Sequence, residues 1–303
     1  MNELIDKILS DRPEAQIALN SSSGKDSQAM ITYIKKKYPT ANKFVIFADT
    51  GRMEWEQTLP FCKSFCQKEN IDLVVVRASK DLIDYILQRY ERLKAKGEHT
   101  TKPFWPSSKN RYCTSQSKVA PINKYLRRYQ LIINCLGIRA EESKARAAKT
   151  PITVRKDLSS KIYHNLSTEE AYTKYLANPH KRLVIDYYPI FDWKLNQVWV
   201  ACGTTTEEWE ARRKMPDVEA LNGWTAHPAY VIGVNGNTRL SCAFCVLGSL
   251  NDLNNAYKYN QKTFNILLQL EETLGWTFQN KRSLRDLITQ NSLVKKFQQL
   301  TLF

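Results

Sequence analysis

The run Ser21-Ser22-Ser23-Gly24-Lys25-Asp26-Ser27 carries the residue types that hold a phosphate. It follows the apolar stretch Ala15 to Leu19 and opens a helical pattern from Gln28 to Lys37. Small side chains let backbone N–H groups reach phosphate oxygens, and a helix N-terminus adds positive partial charge. Lys25 supplies a full charge, and Ser27 can cap the helix or hold an oxygen. The run is not a Walker A loop, which needs Gly where Leu19 stands and Ser or Thr where Asp26 stands. An ordinary capped turn with a stray lysine is the plainer alternative.

A second apolar run, Phe44 to Phe47, ends in Ala48-Asp49-Thr50-Gly51. Ligands of open parallel sheets gather at the carboxyl ends of adjacent strands, so Asp49 and the Ser/Gly run are expected to face one crevice. Asp26 and Asp49 are hard oxygen ligands suited to Mg²⁺. Arg139 and Arg146 can neutralise charge that develops in a leaving group. A strand-end cap for Asp49 and a solvated helix face for Arg146 are the alternatives. Cys242 and Cys245 form a CxxC, and Cys113 arrives on a proline-rich loop. A close thiol pair plus a distant third is metal-site spacing, although a structural zinc asks for a fourth ligand. Cys202 and His227 lack diagnostic spacing, and three cysteines that merely pack would look the same. His99, His164, His180 and His227 stand isolated and read as surface or packing groups.

These groups need a scaffold. Ala15 to Leu19, Lys43 to Phe47 and Ile71 to Val76 read as buried parallel strands, each followed by a helical pattern. Residues 1–12 and Asp81 to Lys96 read as amphipathic helices. Cys62 and Cys66 stand one helical turn apart, as packing thiols or half of a metal site. Residues 97–116 break the rhythm, and prolines keep Lys102 to Ser108 out of a helix. A basic helix through Arg128 and a strand Leu131 to Leu136 then lead into Gly137-Ile138-Arg139. The polar stretch 139–182 reads as a partly mobile excursion over the nucleotide site, and Val184 to Ile190 as the last strand. From Asn222 the chain is loop-rich, then helical from about Leu250 to its end. The fold class expected is α/β, an open, mostly parallel sheet with helices on both faces. Residues 1–200 form its nucleotide-binding domain, and 201–303 a loop-rich and helical region packed on it.

A chain of 303 residues with 43% hydrophobic and 25% charged residues is long enough for a proper core and has globular composition. No apolar run approaches membrane-spanning length, and no signal peptide is visible, so the cytoplasm is the expected location and no membrane a partner. Seven cysteines in such a chain point to reduced thiols or metal ligation rather than a disulfide framework. The 45 Lys and Arg against 30 Asp and Glu give a net charge of +15. The excess clusters at Lys35-Lys37, Lys124 with Arg127-Arg128, Arg139 to Lys156, Arg212-Lys214, and Lys281-Arg282 with Arg285. Such clusters favour a polyanion, DNA or tRNA, over a surface that happens to be basic.

The Ser/Gly run is close to SGGKDS, the signature of the PP-loop superfamily of N-type ATP pyrophosphatases. More narrowly, the chain resembles the phosphoadenosine phosphosulfate (PAPS) reductase family. The matching segments run in that family's order: Ala48-Asp49-Thr50-Gly51, Trp105-Pro106-Ser107-Ser108 with Arg111-Tyr112-Cys113-Thr114, and Lys118 with Pro121. Gly137-Ile138-Arg139-Ala140-Glu141-Glu142-Ser143 with Arg146, Pro189-Ile190 and Ser241-Cys242-Ala243-Phe244-Cys245 complete the set.

The resemblance implies an adenine nucleotide alpha hydrolase-like fold with ATP and Mg²⁺ as cofactors. It implies nucleotide binding by Ser21, Ser22, Ser23, Gly24, Lys25, Asp26, Ser27, Asp49, Thr50, Gly51, Gly137 and Arg139. Catalysis would fall to Lys25, Asp26, Arg139 and Arg146, and Mg²⁺ to Asp26 and Asp49.

PAPS reductases have altered the phosphate loop, whereas Gly24-Lys25-Asp26-Ser27 is intact here and fits ATP cleavage at the α-phosphate. They also carry a nucleophilic cysteine in a C-terminal Glu-Cys-Gly-Leu segment. The last cysteine here is Cys245, so thiosulfonate chemistry lacks its thiol. Iron–sulfur members pair Cys-Cys with the CxxC, and Tyr112 stands for the first of that pair. The expectation is an oxygen-sensitive [4Fe–4S] cluster on Cys113, Cys242 and Cys245.

The pattern is similar to proteins of DNA phosphorothioation systems. That implies ATP-dependent, pyrophosphate-releasing sulfur transfer to DNA or tRNA, with a sulfur-donor protein such as a cysteine desulfurase. The alternatives are a sulfate-assimilation enzyme, either the PP-loop subunit of ATP sulfurylase or a PAPS/APS reductase, and a non-catalytic nucleotide-sensing adaptor.

Overall fold

A computed structural model describes residues 3–280 and 282–288. Its strands are β1 (Gln16–Ser21), β2 (Lys43–Asp49), β3 (Leu73–Arg77), β4 (Leu131–Cys135), β5 (Ile152–Val154) and β6 (Leu183–Tyr187). They form one sheet in the order β3-β2-β1-β4-β6-β5, parallel except where β5 runs against β6. Strands β1 to β3 step outward on one side of β1, and β4 and β6 on the other. The order therefore reverses between β1 and β4, which makes their carboxyl ends the switch point where open α/β sheets take ligands.

The helices are α1 (Glu3–Asp11), α2 (Lys25–Lys37), α3 (Thr58–Lys68), α4 (Leu82–Ala95), α5 (Ala120–Leu126), α6 (Thr168–Ala177) and α7 (Leu195–Ala201). They continue with α8 (Thr206–Arg212), α9 (Asp217–Leu221), α10 (Leu250–Tyr259) and α11 (Gln261–Leu274). Side chains alternate across a strand. Ile17 and Leu19 of β1 pack with α1, α2, α6 and α7, and Ala18 faces Phe44, Ile46 and Leu126 on the other side. A buried leucine- or isoleucine-sized side chain contributes about 1.5–3 kcal/mol, so both faces of β1 are strongly specified. Trp209, Ala220, Ala226, Tyr230 and Val231 belong to the same core as β1 and α2. A second core joins α4, α10 and α11 to Phe104, Trp105 and Phe244. The proline-rich loop is its floor: Trp105 Nε1 donates to Trp276 O at 3.0 Å, and Tyr112 Oη to Phe104 O at 2.6 Å. Cys62 and Cys66 are buried in the first core.

Two expectations need correction. The stretch 139–182 is an excursion over the switch point only at its start: Arg139 meets Asp26 there, whereas from Ile152 on the chain adds to the sheet edge. Ile152, Thr153 and Val154 pair with β6, and a Ser167–Glu170 capping box starts α6, which buries Ala171, Tyr172 and Tyr175. Helical structure after Leu250 is not continuous, because Gly275 closes α11 in the left-handed conformation that favours glycine. The rest of the expected C-terminal helix, with Lys281 of the basic clusters, lies outside the described residues. Among the described residues no helix is long and apolar enough to cross a membrane.

Candidate functional site

β1 delivers the Ser/Gly loop to the start of α2, and the loop binds itself. Ser23 sits at φ 60°, its N–H bonded to Ser21 Oγ at 3.0 Å and its hydroxyl to Thr58 O at 3.2 Å. Ser27 Oγ donates to Gly24 O at 2.8 Å and accepts from Ser22 N at 3.3 Å. The loop is thus held from within, as a preorganised anion cradle requires.

β4 closes the crevice from the other side. Arg139 Nε meets Asp26 Oδ1 at 2.6 Å, and Nη1 meets Glu141 Oε2 at 2.6 Å. Burial pulls the Arg139 guanidinium down, but Asp26 and Glu141 outweigh it and hold the group above its ordinary value. Gly137 lies directly on the loop: a Cβ there would stand 2.7 Å from Asp26 O and 2.9 Å from Ser27 N. Lys25 Nζ pairs with Asp26 Oδ2 at 3.2 Å and lies 5.5 Å from the Tyr230 ring centre and 6.0 Å from that of Trp199. Lys25, Asp26, Arg139 and Glu141 therefore form one chain of alternating charge.

Arg146 joins only indirectly. It pairs with Glu142, whose carboxylate also accepts the Arg139 backbone N–H at 3.2 Å. Asp49 is engaged elsewhere: Oδ2 takes Arg77 Nε at 2.8 Å, and Oδ1 takes Gly51 N at 2.9 Å. The two carboxylates expected to hold Mg²⁺ each meet a cation here, Asp26 that of Arg139 and Asp49 that of Arg77.

The three cysteines of the expected cluster do not come together as one group. Among the described residues no three His, Cys, Asp or Glu side chains form a group that could hold a metal ion. Cys113 Sγ turns to Thr114 Oγ1 at 3.9 Å, whereas Cys242 Sγ lies 3.8 Å from Thr50 Oγ1 and 3.9 Å from Glu54 Oε1. Burial pushes the Cys242 thiol up to about 12, against the pull of Lys118. Cys242 once ionised, with Glu54, holds Lys118 above its ordinary value.

Sequence reasoning gave no role to Glu54, Lys118 or Tyr230. It also passed over a ladder across the strands, in which Asn20 Nδ2 donates to Asn134 Oδ1 at 2.7 Å and Asn134 Nδ2 to Asp186 Oδ1 at 2.6 Å. A polar residue inside an apolar strand run was the available signal for that ladder. His227 is a packing group: it is fully buried, and burial pulls it down to about 3. Its Nδ1 accepts Ala229 N at 3.1 Å, which leaves Nε2–H for Thr58 Oγ1 at 3.2 Å. Cys202 Sγ donates to Lys25 O at 3.3 Å beneath the loop, away from the CxxC.

The sequence of residues 16–206 matches the phosphoadenosine phosphosulfate reductase domain, which covers more than half of the chain. The chain belongs to that family. An uncharacterized protein of Methanocaldococcus jannaschii is 27% identical over 184 residues, 60% of this chain and 35% of that protein. The chain thus spans about a third of that relative's length. Among solved structures, Candida glabrata FMN adenylyltransferase with FMN and an ATP analogue is 12% identical over 69% of this chain and 54% of that one, at a TM-score of 0.35. The U34-tRNA thiolase NcsA of Methanococcus maripaludis, with its [4Fe–4S] cluster, is 14% identical over 86% of this chain and 66% of that one, at a TM-score of 0.36. At such scores the function of this PAPS reductase-domain protein rests on its own residues.

Proposed function

We propose that the protein binds ATP at the Ser/Gly loop and uses it, with release of pyrophosphate, to activate an oxygen of a nucleic acid for sulfur transfer. The observation that carries this reading is the junction at the β1/β4 switch point. There Arg139 is paired with Asp26 at 2.6 Å, and Gly137 rests on the backbone of an intact Gly24-Lys25-Asp26-Ser27 turn. The turn opens a helix of 13 residues, long enough for its N-terminal dipole to favour a phosphate.

Ser21, Ser22, Ser23, Gly24 and Ser27 would form the phosphate cradle. Lys25 and Arg139 would balance charge on the transferring groups, with Asp26 as the anchor that orients both cations. Asp49, Thr50, Gly51 and Gly137 would border the nucleotide, and Arg146 would act through Glu142. Among the described residues no ion pair joins Arg127 or Arg128 to a carboxylate, and Arg128 lies 4.5 Å from the Tyr125 ring centre, which leaves both charges open to a polyanion. A persulfide-bearing protein such as a cysteine desulfurase would be the sulfur source.

The test is pyrophosphate release from ATP by the full chain, with and without DNA or tRNA. Lys25→Ala and Asp26→Ala are expected to lower it by at least about 100-fold, the scale of a lost electrostatic stabiliser. Tighter binding of PAPS than of ATP, with thioredoxin-dependent sulfite release, would overturn the reading.

A further inference from the structure

Three strands turn from apolar to polar at one level. Ala18, Ile132 and Val184 pack in the core that also holds Phe44, Ile46 and Leu126. Two residues further along, and so on the same face, stand Asn20 of β1, Asn134 of β4 and Asp186 of β6. Each is the last residue but one of its strand, so the three lie at the level where the Ser/Gly loop leaves β1. Asn20 Nδ2 donates to Asn134 Oδ1 at 2.7 Å and to Cys135 O at 3.0 Å. Asn134 is fully buried and donates through Nδ2 to Asp186 Oδ1 at 2.6 Å. Arg155 Nη1 closes the row, 3.8 Å from the same oxygen.

The row has a fixed direction. Turning the Asn20 amide over would set its oxygen against the Cys135 carbonyl, and turning Asn134 over would set its oxygen against a carboxylate. Both nitrogens therefore point along the row, and each bond polarises the next. Asn20 Oδ1 is left over, with no hydrogen bond among the described residues, on a half-buried side chain immediately before Ser21. It cannot hold a phosphate, whose oxygens accept hydrogen bonds as it does. It asks for a hydroxyl or an amino group on the ligand. On ATP these are the ribose hydroxyls and the amino group of the base. The ribose is esterified to the α-phosphate, whereas the amino group lies across the base from it.

We infer that Asn20 recognises a ribose hydroxyl of the nucleotide, and that Asn134 and Asp186 are the residues that position its amide. This rests on the ATP reading above. It makes the crevice selective for a ribonucleotide, because a ligand without the hydroxyl leaves the acceptor unpaired.

The experiment titrates the full chain calorimetrically, in Mg²⁺, with ATP, 2′-deoxy-ATP, 3′-deoxy-ATP and inosine triphosphate, which has a carbonyl in place of the amino group. The wild type is expected to bind one deoxy nucleotide roughly 3- to 10-fold more weakly than ATP, the scale of one hydrogen bond. Asn20→Ala should weaken ATP by that factor, leave the affected deoxy nucleotide as it was, and leave the ratio of ATP to inosine triphosphate within the same factor. Asn134→Leu frees the Asn20 amide to turn and should lower the discrimination. Asn134→Asp combined with Asp186→Asn again sets every donor against an acceptor and should restore it. The ratio between nucleotides is the readout, since a merely structural loss weakens all of them alike, and far-UV circular dichroism checks that each variant is folded.

Equal binding of ATP and both deoxy nucleotides by the wild type, a series that needs no variant, would overturn the inference. So would an Asn20→Ala protein that weakens all four nucleotides alike, or one that changes only the preference for ATP over inosine triphosphate, which would assign the amide to the base. Discrimination that stays lost in the Asn134–Asp186 exchange would remove the positioning role. Wild-type protein that binds none of the four overturns the ATP reading itself, whereas binding without discrimination sinks this inference alone.

Discussion

The Tyr230 hydroxyl accepts the backbone N–H of Lys25 at 3.0 Å, on the first residue of α2. The phenol thus holds the start of the phosphate-loop helix, and Gly24 makes room for it, since a Cβ there would stand 3.1 Å from that oxygen. Tyr230→Phe leaves the Lys25 N–H without this acceptor at a side chain that is 1% exposed. The expected cost is about 1–3 kcal/mol, and the melting temperature of a chain this size should fall by roughly 2–10 °C. An unchanged melting temperature would show that the phenol holds nothing.

Arg139 is 4% exposed and carries the Asp26 and Glu141 carboxylates on one guanidinium. Removing one partner of a buried pair strands the other charge, so Arg139→Met is expected to destabilise the fold by about 3–5 kcal/mol in urea unfolding. Asp26→Asn combined with Arg139→Met should cost less than the sum of the single changes, because the second removal relieves the first. Strict additivity would mean that the two side chains do not act together.

The strand-end groups were legible because each closes an apolar run: Ser21 after Ile17 to Leu19, Asp49 after Phe44 to Ala48, and Arg139 after Leu131 to Leu136. What spacing could not show is which cation a carboxylate meets. Asp49 stands in register with Arg77 of β3, and Arg139 reaches Asp26 across 113 residues of chain. Tyr230 was hidden for the same reason, because its partner Lys25 lies 205 residues away. The strand Ile152–Val154 was missed because three half-buried residues in a basic stretch give too short an alternation to read.

His227 gives the fold an acid-sensitive point. Burial holds its folded value at about 3, below the ordinary 6.5, so the folded protein keeps it neutral while the unfolded chain can protonate. A depressed value adds stability that is complete above pH 6.5 and is lost as pH falls towards 3. Over that window the wild type should lose up to about 1.4 kcal/mol per pH unit from this residue. His227→Asn keeps an acceptor for Ala229 N and does not titrate. Its unfolding free energy should fall less steeply between pH 6.5 and 4, and parallel profiles for the two proteins would contradict the assignment.

Many of the clustered cations already have carboxylate partners. Arg139, Arg146, Arg155, Arg212, Arg213 and Arg285 each pair with a carboxylate. Arg127 and Arg128 do not, among the described residues. If they hold phosphates, binding of DNA or tRNA should weaken steeply with salt. Replacing both with Glu should flatten the log–log salt slope by about 1 for each phosphate no longer neutralised. ATP affinity should stay as it was, because neither side chain belongs to the Ser/Gly crevice. An unchanged salt slope in a filter-binding titration would remove this patch from the interface.

Gly137 lies against the backbone that starts α2. A methyl group there would meet Asp26 O at 2.7 Å, Asp26 C at 2.8 Å and Ser27 N at 2.9 Å. All three are backbone atoms at the start of α2, so no side-chain rotamer can relieve the clash. Relief must come from moving β4 away from β1 or the loop away from its own hydrogen bonds, and overpacking of that kind costs about 1–3 kcal/mol. The displaced atoms are also the ones that would shape the phosphate cradle and hold Asp26 against Arg139. Gly137→Ala should therefore weaken ATP binding by at least about tenfold, beyond what its modest loss of stability explains. Isothermal titration well below the variant's melting temperature makes the comparison. A folded Gly137→Ala protein that binds ATP as tightly as the wild type would show that the nucleotide does not use this crevice.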